Sequence, residues 1–366
     1  MPSFEETEVR RKALCQRFVG QQIHGAIITS PANLFYFAGV WLETGERMAA
    51  LVLKENGDAM FIAHEMFQRE VEKAYVSTSF YRDGDDPYLM LMSLLGPTGR
   101  VAVDGAWSAA HLLGLQEAGK NLHCMPLQQH SAFLRSRKSV AEMASLAHAS
   151  HLADEVVQGI KTHLCVGQTE RAIANRLADL WQEAGASGMS FPAIVASGVN
   201  SSAPHHEPDT SPLVASTVIV DTGGIYEHYC SDITRTYLLG EPTDEMVRVY
   251  KVLLAAQKEG ISAARPGVTL QSVDRAVRRV IEEAGYGKYF THRTGHGVGL
   301  DIHEDPFVVE GNLEVLQPGM VLSVEPGIYI PGQFGIRIED LVAIAPDGSD
   351  VLNAAPKDLE QVILKA

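Results

Sequence analysis

Five residues in the second half of the chain, Asp221, Asp232, His296, Glu325 and Glu339, have the types and spacing to assemble into a two-metal site. They stand in four short segments, at residues 218–236, 294–306, 323–327 and 335–340. Four carboxylates and one imidazole carry four negative charges, and burying them together would be prohibitive without compensating cations. Two divalent ions would offset that charge, with carboxylates bridging them at about 3.5–4 Å. Each residue alone has a bland reading, since an Asp at a strand end is usually a cap or turn residue. Together and in this order, coincidence is the weaker explanation.

The surrounding residues suggest how the site is held. Side chains at i and i+2 of a strand share a face, so Arg337 and Glu339 should point the same way. Arg337 then supports a ligand carboxylate from behind; its bland alternative is an exposed cross-strand charge pair. Asp221 and Asp232 flank Gly223-Gly224 and a polar connection, as a hairpin with both carboxylates on one face would require. Glu325 precedes Pro326-Gly327, so its strand should end there and leave its carboxylate at a rim.

The elements that must position these residues fall into two regions. Residues 1–135 alternate helical and strand patterns and read as an α/β domain. A helix is expected over 5–20, strands over 25–29, 48–53, 59–63 and 100–104, a turn starting at Ser30-Pro31-Ala32-Asn33, and a helix over 108–118. A basic cluster at 134–138 precedes a change of character. Residues 136–366 group helices (140–163, 170–184, 244–264 and 270–284) and strands (189–239 and 294 to the end). Such runs point to α+β, with helices on one face of an antiparallel sheet.

Composition narrows the function. A formal charge of −15 argues against a nucleic-acid surface and mildly against anionic membranes. No apolar run approaches the roughly 20 residues of a transmembrane helix. Residues 1–11 are acidic and polar and do not read as a signal peptide. The four cysteines have neither metal nor redox spacing, so a cytoplasmic protein is expected.

The order and spacing of the four segments resembles the metal-dependent pita-bread hydrolases of family M24. The branch is that of Xaa-Pro dipeptidases (prolidases) and aminopeptidase P. The resemblance is strong over about residues 135–366. It is weaker before that, through the α/β character and the stretch Asn33-Leu34-Phe35-Tyr36-Phe37-Ala38-Gly39. It implies a creatinase/prolidase-type α/β N-terminal domain followed by an α+β pita-bread catalytic domain. It also implies Asp221, Asp232, His296, Glu325 and Glu339 as ligands of two divalent ions, manganese foremost, with cobalt, zinc or iron as alternatives. Glu325 would double as general base, His303 would stabilise the tetrahedral intermediate, and His205 would position substrate. Thr234 and Arg337 would support the ligands. His206, beside His205, is expected at the rim, and His228 and His292 are read as bland.

The same resemblance implies a homodimer that hydrolyses the Xaa-Pro bond at the N-terminus of peptides. A dipeptidase must also fix the substrate carboxylate, for which arginine is the usual means. The sequence has no Lys or Arg between Arg293 and Arg337, so peptides longer than two residues are the expected substrates. The alternatives keep the scaffold and change the chemistry: hydrolysis of ectoine derivatives, or cleavage of dimethylsulfoniopropionate. Methionine aminopeptidase usually lacks the first domain, and metal-free creatinase or a degenerate binding module would have lost ligands.

Overall fold

The structure, a computed structural model, describes residues 2–365. It divides into two compact units between Arg135 and Ser136. The first is built on a six-stranded mixed sheet in the order Ser77–Tyr81, Ala59–His64, Ala49–Lys54, Ile23–Ile28, Thr98–Val103, Asn121–Pro126. Its central strand, Ile23–Ile28, is antiparallel to Ala49–Lys54 and parallel to Thr98–Val103.

One expectation fails here. Ser30-Pro31-Ala32-Asn33 does not make a turn; it opens a helix, Pro31–Ala38. Pro31 costs nothing in the first turn, where its missing N–H would have had no helical partner. Gly39, at φ 75°, supplies the left-handed residue that closes the helix. A second helix, Pro87–Leu95, starts the same way after Asp86, whose carboxylate accepts from the Tyr88 and Leu89 amides.

The second unit contains a four-stranded sheet in the order Ile363–Leu364, Ile233–Leu239, Thr217–Thr222, Ile194–Ser197. A five-stranded sheet runs Glu304–Val308, Gly295–Gly297, Val321–Val324, Asp340–Ala345, Gly348–Val351. A separate hairpin pairs Gly327–Ile330 with Phe334–Arg337. Four long helices accompany them: Val140–Ile160, Glu170–Glu183, Asp244–Ala263 and Leu270–Glu283. Ser139 and Glu142 form a reciprocal cap on the first of these. Leu270–Glu283 buries Leu270, Val273, Val277 and Ile281 along one stripe. Asp274 lies on that stripe too, and accepts from Thr294 Oγ1 and Arg278 Nε, each at 2.7 Å.

A repeat that the sequence reading did not use runs through this unit. Gly167-Gln168-Thr169 before one helix recurs as Gly267-Val268-Thr269 before another of equal length, 14 residues. Both helices are followed by Ala-Gly, with Gly185 and Gly285 each at φ 85°. Thr169 bridges to Pro212, and Thr269 to Val315. The unit is therefore two similar halves. The first carries Asp221 and Asp232; the second carries His296, Glu325 and Glu339.

Candidate metal centre

The strand Thr217–Thr222 is buried throughout, and its Val218-Ile219-Val220 run suits a strand covered on both faces. It pairs antiparallel with Ile233–Leu239, placing Asp221 opposite Thr234. Between them the short hairpin Ile225–Tyr226/Tyr229–Cys230 leads the chain back to Asp232. Gly223 is required at that crossing, because a Cβ would overlap the Ser231 carbonyl oxygen. Gly295 is required for a similar reason, against the Ser323 carbonyl oxygen. This close approach lets the His296 N–H donate to Ser323 Oγ at 3.0 Å. The Glu325 N–H donates to the Thr294 carbonyl at 2.8 Å, and the Glu339 N–H to that of Thr234 at 3.1 Å. Backbone bonds thus tie the segments directly to one another.

The five side chains line one cavity of about 660 Å³. His296 Nε2 lies 3.2 Å from Glu325 Oε1 and 3.7 Å from Asp232 Oδ2. Ligand atoms of Asp232, His296 and Glu339 all fall within 4.8 Å of one another. Thr234 Oγ1 donates to Glu339 Oε2 at 2.7 Å. Arg337, only 3 % exposed, is no surface charge. It donates to Asp221 Oδ2 at 2.6 Å, Tyr329 Oη at 2.7 Å, the Pro204 carbonyl at 3.2 Å and Thr234 Oγ1 at 3.3 Å.

These residues fit divalent cations. Asp221 Oδ1, Asp232 Oδ1 and Glu339 Oε1 are buried acceptors without a hydrogen-bond donor, a costly state that cations would relieve. His296 Nδ1 is 3.1 Å from the Gly297 carbonyl, which fixes its hydrogen there and leaves Nε2 as the donor atom. Burial, then repulsion among the carboxylates, pushes Asp232 and Glu339 well above the usual range. Burial also raises Asp221, against the pull of Arg337. Burial would raise Glu325 as well, but in the absence of cations its contact with His296 and the surrounding positive charge hold it at about 2.

Around this centre the structure distinguishes the remaining histidines. His206 Nε2 is 2.6 Å from Glu170 Oε2. Glu170 is fully buried, and its other oxygen accepts from the Ser197 N–H at 2.8 Å and Asn200 Nδ2 at 3.1 Å. Both His205 and His206 line the cavity, His206 engaged with Glu170 and His205 more exposed. The His303 ring stands edge-on to His296, with centroids 4.3 Å apart. Burial, then the charge of His296 and Arg293, lowers His303 to about 4. Next to it, Glu304 forms a buried ion pair with Lys138 at 2.9 Å.

His292 and Arg293 are among the lining residues that the sequence reading missed, with the apolar run Phe191-Pro192-Ala193-Ile194. His292, read as bland, lines the cavity; its Nε2 is 3.0 Å from Tyr329 Oη. This continues a chain through Tyr329 and Arg337 to Asp221. Arg293 also lines the cavity. It stands at the edge of the basic-free interval, a cation that the reading for longer substrates did not count. Its adjacency to Thr294-Gly295-His296 was the available signal. His228 does not line the cavity; it sits at φ 71° in the turn of the small hairpin.

Comparisons with known proteins identify the family. Residues 144–346 match the model of metallopeptidase family M24, and residues 10–137 that of the creatinase/prolidase N-terminal domain. The chain belongs to metallopeptidase family M24, with a creatinase/prolidase-type N-terminal domain ahead of a pita-bread catalytic domain. It is 38 % identical over 365 residues to the probable dipeptidase PepE of Mycobacterium tuberculosis, covering 97 % of this chain and 96 % of that one. The crystal structure of dipeptidase PepE from Mycobacterium ulcerans is similar over the whole of both chains, with TM-score 0.93 and 35 % identity. A recombinant prolidase from Thermococcus sibiricus, also covered in full with full coverage here, gives TM-score 0.94 and 31 % identity.

Proposed function

We propose that this metallopeptidase hydrolyses Xaa-Pro dipeptides, using two divalent cations held by Asp221, Asp232, His296, Glu325 and Glu339. The observation that carries the reading is one cavity joining five converging ligand groups, three of them with orphaned oxygens, to an apolar wall. When bound, the cations supply Lewis acidity toward the scissile carbonyl and a water made nucleophilic at neutral pH. The chain's own residues do the rest. Phe191, Pro192, Ala193 and Ile194 offer an apolar surface for a proline ring. An Xaa-Pro bond has no N–H, and nothing in this role requires one.

Glu325 is the carboxylate open to the substrate side: its side chain is 16 % exposed, against 11 % for Asp221 and 6 % for Asp232. It is therefore the group placed to take a proton from the attacking water. His303, neutral above about pH 4, would donate a hydrogen bond to the oxygen on which charge develops. His205 would orient the substrate, held in place by the His206–Glu170 brace beside it. Thr234 and Arg337 keep Glu339 and Asp221 turned to the centre.

Manganese is the first metal to test. The experiment is a panel on chelator-stripped protein reloaded with Mn, Co, Zn or Fe. Its substrates are Ala-Pro, Ala-Pro-Ala, Met-Ala and an N-acetylated diamino acid. Metal-dependent cleavage of Ala-Pro above the others supports the reading. Cleavage of the non-peptide amide alone would refute it.

A further inference from the structure

We propose that Arg293 binds the C-terminal carboxylate of the substrate and is the residue that selects dipeptides. The proposal rests on the Xaa-Pro dipeptide reading and adds to it the group that measures substrate length. The cavity holds two guanidinium groups, Arg293 and Arg337. All three nitrogens of Arg337 are already committed, to Asp221, Tyr329, Pro204 and Thr234. Among the described residues, Arg293 has no carboxylate partner. Its guanidinium lies over the Phe307 ring instead, 4.4 Å from the centroid. Stacking occupies the face of the group and leaves its N–H edge free, the edge that pairs with a carboxylate through two parallel hydrogen bonds.

The backbone that presents Arg293 is fixed on both sides. Arg278 Nη2 donates to the His292 carbonyl at 2.6 Å. Thr294 Oγ1 donates to Asp274 at 2.7 Å, and the Thr294 N–H to Val308 at 3.0 Å. A cation displayed from so rigid a strut loses little freedom on binding. It also answers a charge problem. A dipeptide brings its carboxylate within one residue of four acidic side chains, and desolvating it there is unfavourable unless a cation faces it. A third residue moves the carboxylate about 3.5 Å further out, beyond a fixed partner.

The test compares Ala-Pro, Ala-Pro-amide and Ala-Pro-Ala on the Mn-loaded protein, as wild type, Arg293→Ala and Arg293→Lys. Wild type is expected to favour Ala-Pro over its amide by about 10- to 100-fold in kcat/KM, the range for a charged hydrogen-bonded contact. Most of the effect should lie in KM. Arg293→Ala should erase the ratio and Arg293→Lys should keep part of it. Calorimetric binding of L-proline against L-prolinamide should show the same discrimination without turnover. Equal use of acid and amide by wild type overturns the proposal and needs no variant; so does a ratio that survives Arg293→Ala. In both cases cleavage before proline persists and the dipeptidase chemistry stands. If wild type cleaves no prolyl substrate with any metal, that chemistry fails and the proposal falls with it.

Discussion

Replacing Arg337 with Met removes the cation that pairs directly with Asp221 in the acidic centre. Both members of the Arg337–Asp221 pair are buried, and the guanidinium also serves Tyr329, Pro204 and Thr234. Removing one partner of a buried pair typically costs about 3–5 kcal/mol, because the other charge is left uncompensated. The metal-free protein should lose that much at pH 8, read from urea unfolding of wild type and Arg337→Met. The loss should shrink toward pH 5, for the following reason. Asp221 is already raised by burial with Arg337 acting against it, so removing Arg337 lifts its folded value further above the unfolded one. An acid raised in the folded state is fully stabilising below its unfolded value, near 4, and loses that contribution as pH rises through the folded value. Metal-loaded protein should lose less, since the cations replace the missing charge. A penalty under about 1 kcal/mol at pH 8, or one equal at both pH values, would refute the pairing argument.

Three further outcomes are expected. Asp232→Ala and Glu339→Ala should each abolish hydrolysis and lower bound metal, measured by elemental analysis; normal metal content with full activity would exclude them as ligands. His303→Ala should keep its metal yet lose about 100-fold or more in kcat, and a change confined to KM would make His303 a binding residue only. Loading metal near pH 7 should release protons, because Asp232 and Glu339 are raised well above the usual range without cations. Calorimetry in buffers of different ionisation enthalpy measures this, and a buffer-independent heat would count against it.

Much of the catalytic unit was legible because its signals are local. Ser139, Thr169 and Thr269 cap their helices through side-chain oxygens that the sequence displays directly. The candidate ligands Asp221 and His296 lie in short strands while Asp232, Glu325 and Glu339 flank strand ends, and the glycine requirement at Gly223 and Gly295 is a backbone clash rather than a preference. The first unit was harder to read. Ser30-Pro31 suits a turn as well as a helix start, and only Gly39 eight residues later separates the two. Arg293 and His292 offered only their adjacency to Thr294-Gly295-His296, since their contacts at the cavity are with Phe307 and Tyr329, which are remote in sequence. The hundred-residue repeat was present as Gly-x-Thr and Ala-Gly pairs, yet its meaning appears only when Thr169 and Thr269 are seen to make equivalent bridges.

That repeat divides the centre between two stretches of chain joined by Gly240-Glu241-Pro242-Thr243, where Glu241 and Thr243 are exposed. Two candidate ligands come before this connector and three after it. A chain severed there would yield one fragment with Asp221 and Asp232 and another with His296, Glu325 and Glu339, neither holding a complete coordination set. The crossing bonds from Glu339 to Thr234 and from Arg337 to Thr236 would form only when the fragments reassociate. If these five residues hold the ions as proposed, metal capture becomes a readout of complementation: the ions would act as a latch between two half-proteins, and their affinity would measure how well those halves have found each other.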